Sequence, residues 1–287
     1  MDAQDASNRG AVVITGASTG IGEAAALRLA RLGYLVFAGV RREADGAALQ
    51  AQVPERIRPL RLDVTSAEDI AAAVSTVRAA VPGGIAGLVN NAGIAVAGPL
   101  ECVPPDEIRR QFEVNFIGPV AVTQAFLPLL RAGRGRLINV GSVGGRIALP
   151  FVGAYASSKF AIEAASDVFR IELSSWGIAV SIIEAGAIAT PMWEKARQGA
   201  EAIVEGLSEE GRRLYGDLIT KARERTAHMA RTASPAEPVA AAIEHALCAA
   251  RPKTRYRVGK HAKVQHFVGR YLPDRWRDFC VRFFLGI

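Results

Sequence analysis

The sequence predicts an α/β protein in which a parallel sheet of seven strands is covered by helices on both faces. Three observations carry this. Short apolar runs rich in Val and Ile alternate with longer segments of helical periodicity along most of the chain. The first such run ends in a glycine-rich turn that leads straight into a helix. The chain has 287 residues, 50% hydrophobic and 22% charged, enough for one large domain with a substantial core.

In order, strands are expected near 11–15, 34–40, 57–62, 85–90, 136–141, 178–184 and 255–259. Helical patterns lie between them at 21–32, 43–51, 66–80, 104–130, 153–175 and 236–250. Strands separated by helices run parallel, and both faces of such a sheet are buried. Residues 191–234 break the rhythm, being long, polar and helix-prone just after the sixth strand. Ligands in open α/β sheets bind beyond the carboxyl ends of the strands, so this insertion is expected to form a lid over substrate. A surface excursion without a role is the alternative. Residues 1–287 then make a single domain, with the lid at about 191–234 and a C-terminal helical extension at about 260–287.

Two constellations point to chemistry. In the first, the strand Ala11-Val12-Val13-Ile14-Thr15 is followed by Gly16-Ala17-Ser18-Thr19-Gly20-Ile21-Gly22 and a helix. Gly16 permits the tight turn, Gly20 lets the backbone approach a pyrophosphate, and Gly22 lets helix and strand pack closely. The helix N-terminus offers N–H groups to phosphates. The spacing is GxxxGxG rather than the commoner GxGxxG. In the second, Tyr155 and Lys159 are one helical turn apart, on one face. An ammonium beside a phenol favours the phenolate, so the Tyr pKa is expected to fall and the hydroxyl to serve as an acid or base. Ser142, upstream at the end of an apolar run, is placed to hold a carbonyl or alcohol oxygen. Each feature has a bland reading: an exposed amphipathic face for Tyr155 and Lys159, a strand-end cap for Ser142.

Together these residues resemble the short-chain dehydrogenases/reductases over roughly residues 10 to 260. Residues 15–22 resemble the family's cofactor motif, and Asn90-Asn91-Ala92-Gly93 its NNAG motif. Asn115, Ser142, Tyr155 and Lys159 match its catalytic Asn, Ser, Tyr and Lys. The resemblance implies a Rossmann-type fold and an NAD(P)-dependent oxidoreductase. It implies cofactor contacts from Gly16, Ser18, Thr19, Gly20, Ile21, Gly22, Asn90, Ala92, Gly93, Tyr155 and Lys159. Asp63 and Val64 would meet the adenine; Gly186, Ile188 and Thr190 would lie at the nicotinamide. One departure is visible: where the family often has Pro-Gly after the sixth strand, this chain has Ala185-Gly186, a less rigid turn. Read without the family, Asp63 is a turn or cap residue near Thr65 and Ser66, and Asn115 a locally bonded helix residue.

The resemblance also supplies a mechanism. Tyr155 exchanges a proton with the substrate oxygen, Ser142 holds that oxygen, Lys159 binds the nicotinamide ribose, and Asn115 holds a water linking Lys159 to solvent. No acid precedes Arg41 at the end of the second strand. Arg41 stands where the family places an NADP-selecting Arg, so NADP(H) is preferred, with NAD(H) admitted. A solvated Arg pair, Arg41-Arg42, is the alternative.

Val143, Ile147, Leu149, Phe151, Met192 and Trp193 suggest an apolar pocket and a hydrophobic alcohol or ketone as substrate. The run Tyr34 to Arg42 and the tail resemble the steroid- and retinol-dehydrogenase-like branch. A 3-oxoacyl thioester reductase and a non-catalytic cofactor-binding sensor are the alternatives. Residues 251–287 hold ten Lys or Arg against two Asp, while the chain's net charge is +7, so the remainder is nearly neutral. Trp276, Phe279, Cys280 and Phe283 recur at helical spacing in this tail. It is expected to pack on its own domain or on a neighbour in a homo-oligomer, with peripheral contact to an anionic membrane as the alternative. No module for nucleic acid accompanies the charge. Since the strands finish by Gly259, the nucleotide site is expected not to need residues 261–287.

Cys102, Cys248 and Cys280 show no metal spacing or disulfide framework, which suits a cytoplasmic location. The polar start, residues 1–10, is expected to be a frayed tail and no signal peptide. No apolar stretch is expected to reach the length of a membrane span.

Overall fold

The computed structural model describes residues 9–286; residues 1–8, where the frayed tail is expected, and residue 287 lie outside the described residues. The elements follow one another as β1 (Ala11–Ile14), α1 (Gly20–Arg31), β2 (Leu35–Val40), α2 (Glu43–Gln50), β3 (Ile57–Arg61), α3 (Ala67–Ala80), β4 (Gly87–Asn90), α4 (Pro105–Phe112), α5 (Gly118–Ala132), β5 (Arg136–Val140), α6 (Gly153–Glu172), β6 (Ala179–Ala185), α7 (Met192–Glu205), α8 (Glu209–Arg231), α9 (Glu237–Cys248), β7 (Arg255–Val258), α10 (Ala262–Tyr271) and α11 (Asp274–Leu285). The strands form one sheet in the order β3-β2-β1-β4-β5-β6-β7, every neighbouring pair parallel. All seven expected strands are present.

Alternation within the strands builds two core layers. Val12 and Ile14 of β1 face the layer that holds α1 and α9, with Leu29, Ile243 and Leu247. Ala11 and Val13 face the opposite layer, with Val77 of α3 and Phe126, Leu129 and Leu130 of α5. Strands buried on both faces have no polar side to show, which is why these segments read as continuous apolar runs.

The helix expected over 104–130 is broken. A π-helical turn, Glu113–Ile117, separates α4 from α5 and carries Asn115. Such turns insert a residue into the helical ladder and often mark functional positions. Residues 105–132 together are long and apolar enough to cross a membrane by length and composition, contrary to the expectation that no stretch would be. Here Val122, Phe126, Leu129 and Leu130 are spent on the sheet.

Residues 191–234 fold as α7 and α8. Ser208 caps α8 by accepting a hydrogen bond from the Gly211 amide at 3.1 Å. Ile203 of α7 packs against the cluster of Val96 and Val103, from the segment after β4, and Ala154 of α6. The Tyr215 hydroxyl of α8 donates to Glu101. The insertion therefore spans from the end of β6 to the segment that follows β4.

The C-terminal extension divides at Pro273. In α10, Ala262 and His266 are buried, whereas α11 leaves Trp276, Phe279 and Phe283 exposed by 65%, 63% and 80%. Of residues 261–287, expected not to be needed by the nucleotide site, α10 is thus partly buried and α11 largely exposed. Helix α10 is packed on the body of the domain: Ala262 lies against Gly186, His266 faces Glu184 of β6, and Gly269 lies on the Arg146 carbonyl in the segment after Ser142.

Candidate active site

The sheet order reverses between β1 and β4, and the crevice beyond their carboxyl ends is where an open α/β sheet binds its ligand. The two segments are sewn together there. Thr15 Oγ1 accepts from the amides of Asn91 and Ala92 at 2.9 and 3.0 Å. Asn91 Nδ2 donates to the carbonyls of Thr15 and Gly16 at 3.0 and 2.9 Å. Gly16 and Gly20 both have positive φ, +63° and +62°. A Cβ on Gly16 would stand 2.8 Å from Ala92 Cα, and one on Gly20 2.8 Å from Thr190 Cγ2. Any side chain on Gly22 would strike the Gly16 carbonyl, so Gly22 sets the approach of α1 to the turn itself. Thr19, the N-cap of α1, makes no side-chain cap bond. Thr19 is exposed and Ser18 and Ile21 are half-buried, so the turn lies open beside the first N–H groups of α1.

Asp63, after β3, accepts from the Thr65 amide and hydroxyl at 2.9 and 2.7 Å. Burial pushes its carboxyl up, but the Thr65 hydrogen bonds and then the charge of Arg41 prevail and hold it below its ordinary value. Asp63 is thus both a turn residue and a neighbour of Arg41. Arg41 is exposed; Arg42 is paired with Asp45 at 2.8 Å. Val64 is buried against Gly118. Asn90 points into the core, where its Nδ2 donates to Thr123 Oγ1 at 2.8 Å and Asn139 Oδ1 at 2.9 Å. It works as a strut between β4, β5 and α5, and it is Asn91 that faces the turn.

Asn115 from the π turn, Ser142 from the end of β5, and Tyr155 and Lys159 from α6 meet beyond the ends of β4 and β5. The Asn115 side chain is buried and bonded to the Ile94 amide at 2.9 Å, the Ile94 carbonyl at 3.0 Å and Ser158 Oγ at 3.2 Å. Ser142 Oγ accepts from the Gly144 amide at 3.1 Å and donates to the Ala185 carbonyl at 3.2 Å. It therefore caps a short turn, and its Oγ and the Tyr155 ring border one space, a Cβ on Gly144 standing 3.4 Å from each. Lys159 Nζ donates to the Val140 carbonyl at 2.9 Å and lies 5.8 Å from the Tyr155 ring centroid. A Cβ on Gly93 would stand 3.4 Å from Asn115 Oδ1 and 3.9 Å from Lys159 Nζ, so both groups border one small space.

The expected fall in the Tyr155 pKa is not what the structure gives. Burial raises the phenol above its ordinary value, and the Ser142 hydrogen bond opposes this only in part. Burial also lowers Lys159 to about 8, with Glu163 one turn on opposing. A lysine that is itself costly to charge does little for a phenolate.

After β6, the Gly186 amide donates to the Val258 carbonyl at 2.8 Å, and the Ala189 amide to the Ser234 carbonyl at 2.8 Å. The turn that lacks proline is thus held by β7 and by the end of the insertion. Trp193 Nε1 donates to the Ile188 carbonyl at 2.7 Å, folding the start of α7 over this segment. Of the residues expected around substrate, Ile147 is buried beneath Gly269 of α10 rather than lining open space. In the sequence, Thr15 and Asn91 stand within the motifs without an expected contact of their own, and Glu184, an acid in a mostly apolar strand, carries no expected role.

Residues 10–201 match the model of the short chain dehydrogenase family. The chain belongs to this family. It is 37% identical to human 11-beta-hydroxysteroid dehydrogenase type 2 over 96% of this chain and 71% of that protein. It is 37% identical to mouse retinol dehydrogenase 16 over 91% of this chain and 84% of that protein. The NADPH-dependent 3-dehydrocapnine reductase of Ornithobacterium rhinotracheale is 34% identical over 93% and 94%. A solved short-chain dehydrogenase from Streptomyces avermitilis superposes with a TM-score of 0.72 at 27% identity, covering 96% and 95%. The short-chain dehydrogenase is thus an NAD(P)-dependent oxidoreductase of the steroid- and retinol-dehydrogenase-like branch.

The crevice suits a dinucleotide. Its floor is the positive-φ turn at Gly16 and Gly20, the open N-terminus of α1 lies beside it, Asp63 and Arg41 stand together at one end, and the space at Gly93 lies at the other.

Proposed function

We propose that this dehydrogenase interconverts a hydrophobic secondary alcohol and its ketone, steroid-, retinoid- or long-chain-like, with NADP(H) preferred and NAD(H) admitted. The observation that carries the reading is the meeting of Ser142, Tyr155 and Lys159 beside the glycine turn. The nicotinamide supplies or accepts the hydride. Tyr155 donates a proton to the carbonyl oxygen in reduction and removes it in oxidation; Ser142 holds that oxygen. Lys159 holds the nicotinamide ribose and, when charged, favours the phenolate. Asn115 borders the same space and holds a water there. The phenol, raised by burial, suits the donor role.

The preference for NADP(H) rests on Arg41, which is exposed beside Asp63 with no acid before it in β2, and on the relative named for NADPH dependence. The substrate class rests on the relatives named for hydroxysteroids and retinol and on Val143, Leu149, Phe151, Met192 and Trp193 near Ser142 and the start of α7. The test is nicotinamide absorbance over a panel of steroids, retinoids, long-chain alcohols and 3-oxoacyl thioesters, with both cofactors. Turnover of thioesters alone would replace this reading, and an inert panel with intact cofactor binding would favour a sensor.

We further infer two surface contacts. Phe160, Val168 and Ile171 form an exposed stripe on α6, suited to a second copy in a homo-oligomer. The outer face of α11 suits a membrane surface on the cytoplasmic side.

A further inference from the structure

The segment after Ser142 is held by charge. Arg146 Nε donates to Glu184 Oε1 at 3.0 Å, and its Nη2 to Glu163 Oε2 at 2.5 Å. Both carboxylates are buried. Glu163 lies on α6 one turn beyond Lys159. Glu184 directly precedes Ala185, whose carbonyl accepts from Ser142. One guanidinium thus joins the helix turn that carries Lys159 to the strand end that receives Ser142.

Other elements close around the pair. From β7, Arg255 donates to Glu163 Oε2 at 3.2 Å and Asp167 Oδ2 at 2.7 Å, and Arg257 to Glu184 Oε2 at 3.0 Å. From α10, His266 Nδ1 lies 3.4 Å from Glu184 Oε2. Backbone contacts fix the same segment sterically. A Cβ on Gly145 would stand 2.7 Å from the Lys159 carbonyl oxygen, and one on Gly269 of α10 would strike the Arg146 carbonyl. Burial raises Glu163 to about 7, with Arg146 the first charge opposing it, and Glu163 in turn supports the Lys159 ammonium.

We propose that Arg146 and Glu163 are positioning residues: the Arg146 fork, shared between Glu163 and Glu184, sets Ser142 against Lys159 and makes α10 an outer wall of the active site. This rests on the reading that Ser142, Tyr155 and Lys159 carry the chemistry. A lysine at 146 keeps the charge but lacks the planar fork that spans two carboxylates. A glutamine at 163 keeps the shape and removes the charge that favours the Lys159 ammonium.

The test uses the full chain, with kcat, KM, cofactor Kd and melting temperature measured for Arg146→Lys, Glu163→Gln and Tyr155→Phe. For Arg146→Lys, assayed well below its melting temperature, kcat should fall about 10- to 100-fold with cofactor Kd nearly unchanged, because sub-ångström misplacement acts on the reacting geometry. For Glu163→Gln, Lys159 should titrate lower, moving the alkaline limb of the kcat profile about half a unit toward lower pH. If both variants melt earlier but keep kcat and pH profile, the network is only structural and the proposal is overturned. A Tyr155→Phe variant that kept its rate would overturn the site reading and this proposal with it. A dead Tyr155→Phe beside a normal Arg146→Lys would overturn this proposal alone. Should Arg146→Lys fail to fold, the pH profile of Glu163→Gln decides.

Discussion

Lys159 is buried with its ammonium on the Val140 carbonyl, and burial lowers it from 10.5 to about 8. A lysine whose folded pKa is depressed lends stability above its unfolded pKa and loses it as pH falls through the folded one. The native protein should therefore lose stability relative to Lys159→Met as pH falls from 10.5 to about 8, with a constant gap below. The full gap is on the order of 3 kcal/mol. Denaturant midpoints at stepped pH check it, and parallel curves for the two proteins would count against it. Arg41 makes a second prediction at this scale. Arg41→Asp replaces a phosphate partner with a repelling carboxylate beside Asp63, so the ratio of NADPH to NADH affinity should fall by on the order of 1–2 kcal/mol, the site being exposed. Parallel titrations read it, and an unchanged ratio would leave Arg41 a solvated surface residue.

At the scale of elements, the central strands β1, β2 and β4 to β6 were legible because parallel strands buried on both faces are mostly apolar, whereas the edge strands β3 and β7 show exposed polar positions. The Gly16 turn was legible because strand, glycine turn and helix adjoin. The π turn at Asn115 was not, since it changes hydrogen bonding without changing the apolar pattern of residues 105–132. The division of the tail was not legible either. Its basic residues look alike in sequence, but Arg255 and Arg257 are spent on Glu163, Asp167 and Glu184. In α11, Val281 faces inward while Trp276, Phe279 and Phe283 recur on the far side, with Arg275 and Arg282 flanking them. The two helices should therefore behave differently. A chain ending at Pro273 should fold and bind cofactor. One ending at Lys260 should lose cooperative unfolding, because it strips cover from Glu184 and from the backbone at Arg146. Thermal melts of the two truncations, with and without cofactor, distinguish these outcomes. Equal stability would return α10 to the status of an appendage.

The whole molecule places its basic, aromatic end on α11 and its apolar stripe on α6, so the two proposed surface contacts can be tested separately. Full-length protein should sediment with anionic vesicles in a salt-sensitive way, and a triple change of Trp276, Phe279 and Phe283 to Ala should abolish this without lowering the melting temperature. Retained sedimentation would move the aromatic face to another partner, which light scattering would reveal as lost assembly. At this scale the sequence made the reaction class legible through residues far apart, Gly16, Asn115, Ser142, Tyr155 and Lys159, but not the substrate, whose pocket depends on how α7 and Trp193 sit over the segment after β6. The most direct test of the central reading is single-turnover reduction of the best ketone of the panel by Tyr155→Phe with bound NADPH. The expected result is unchanged cofactor affinity with a rate lower by about 10³-fold or more, because the proton donor and the support of the oxygen are lost together. A rate near that of the native enzyme would contradict it.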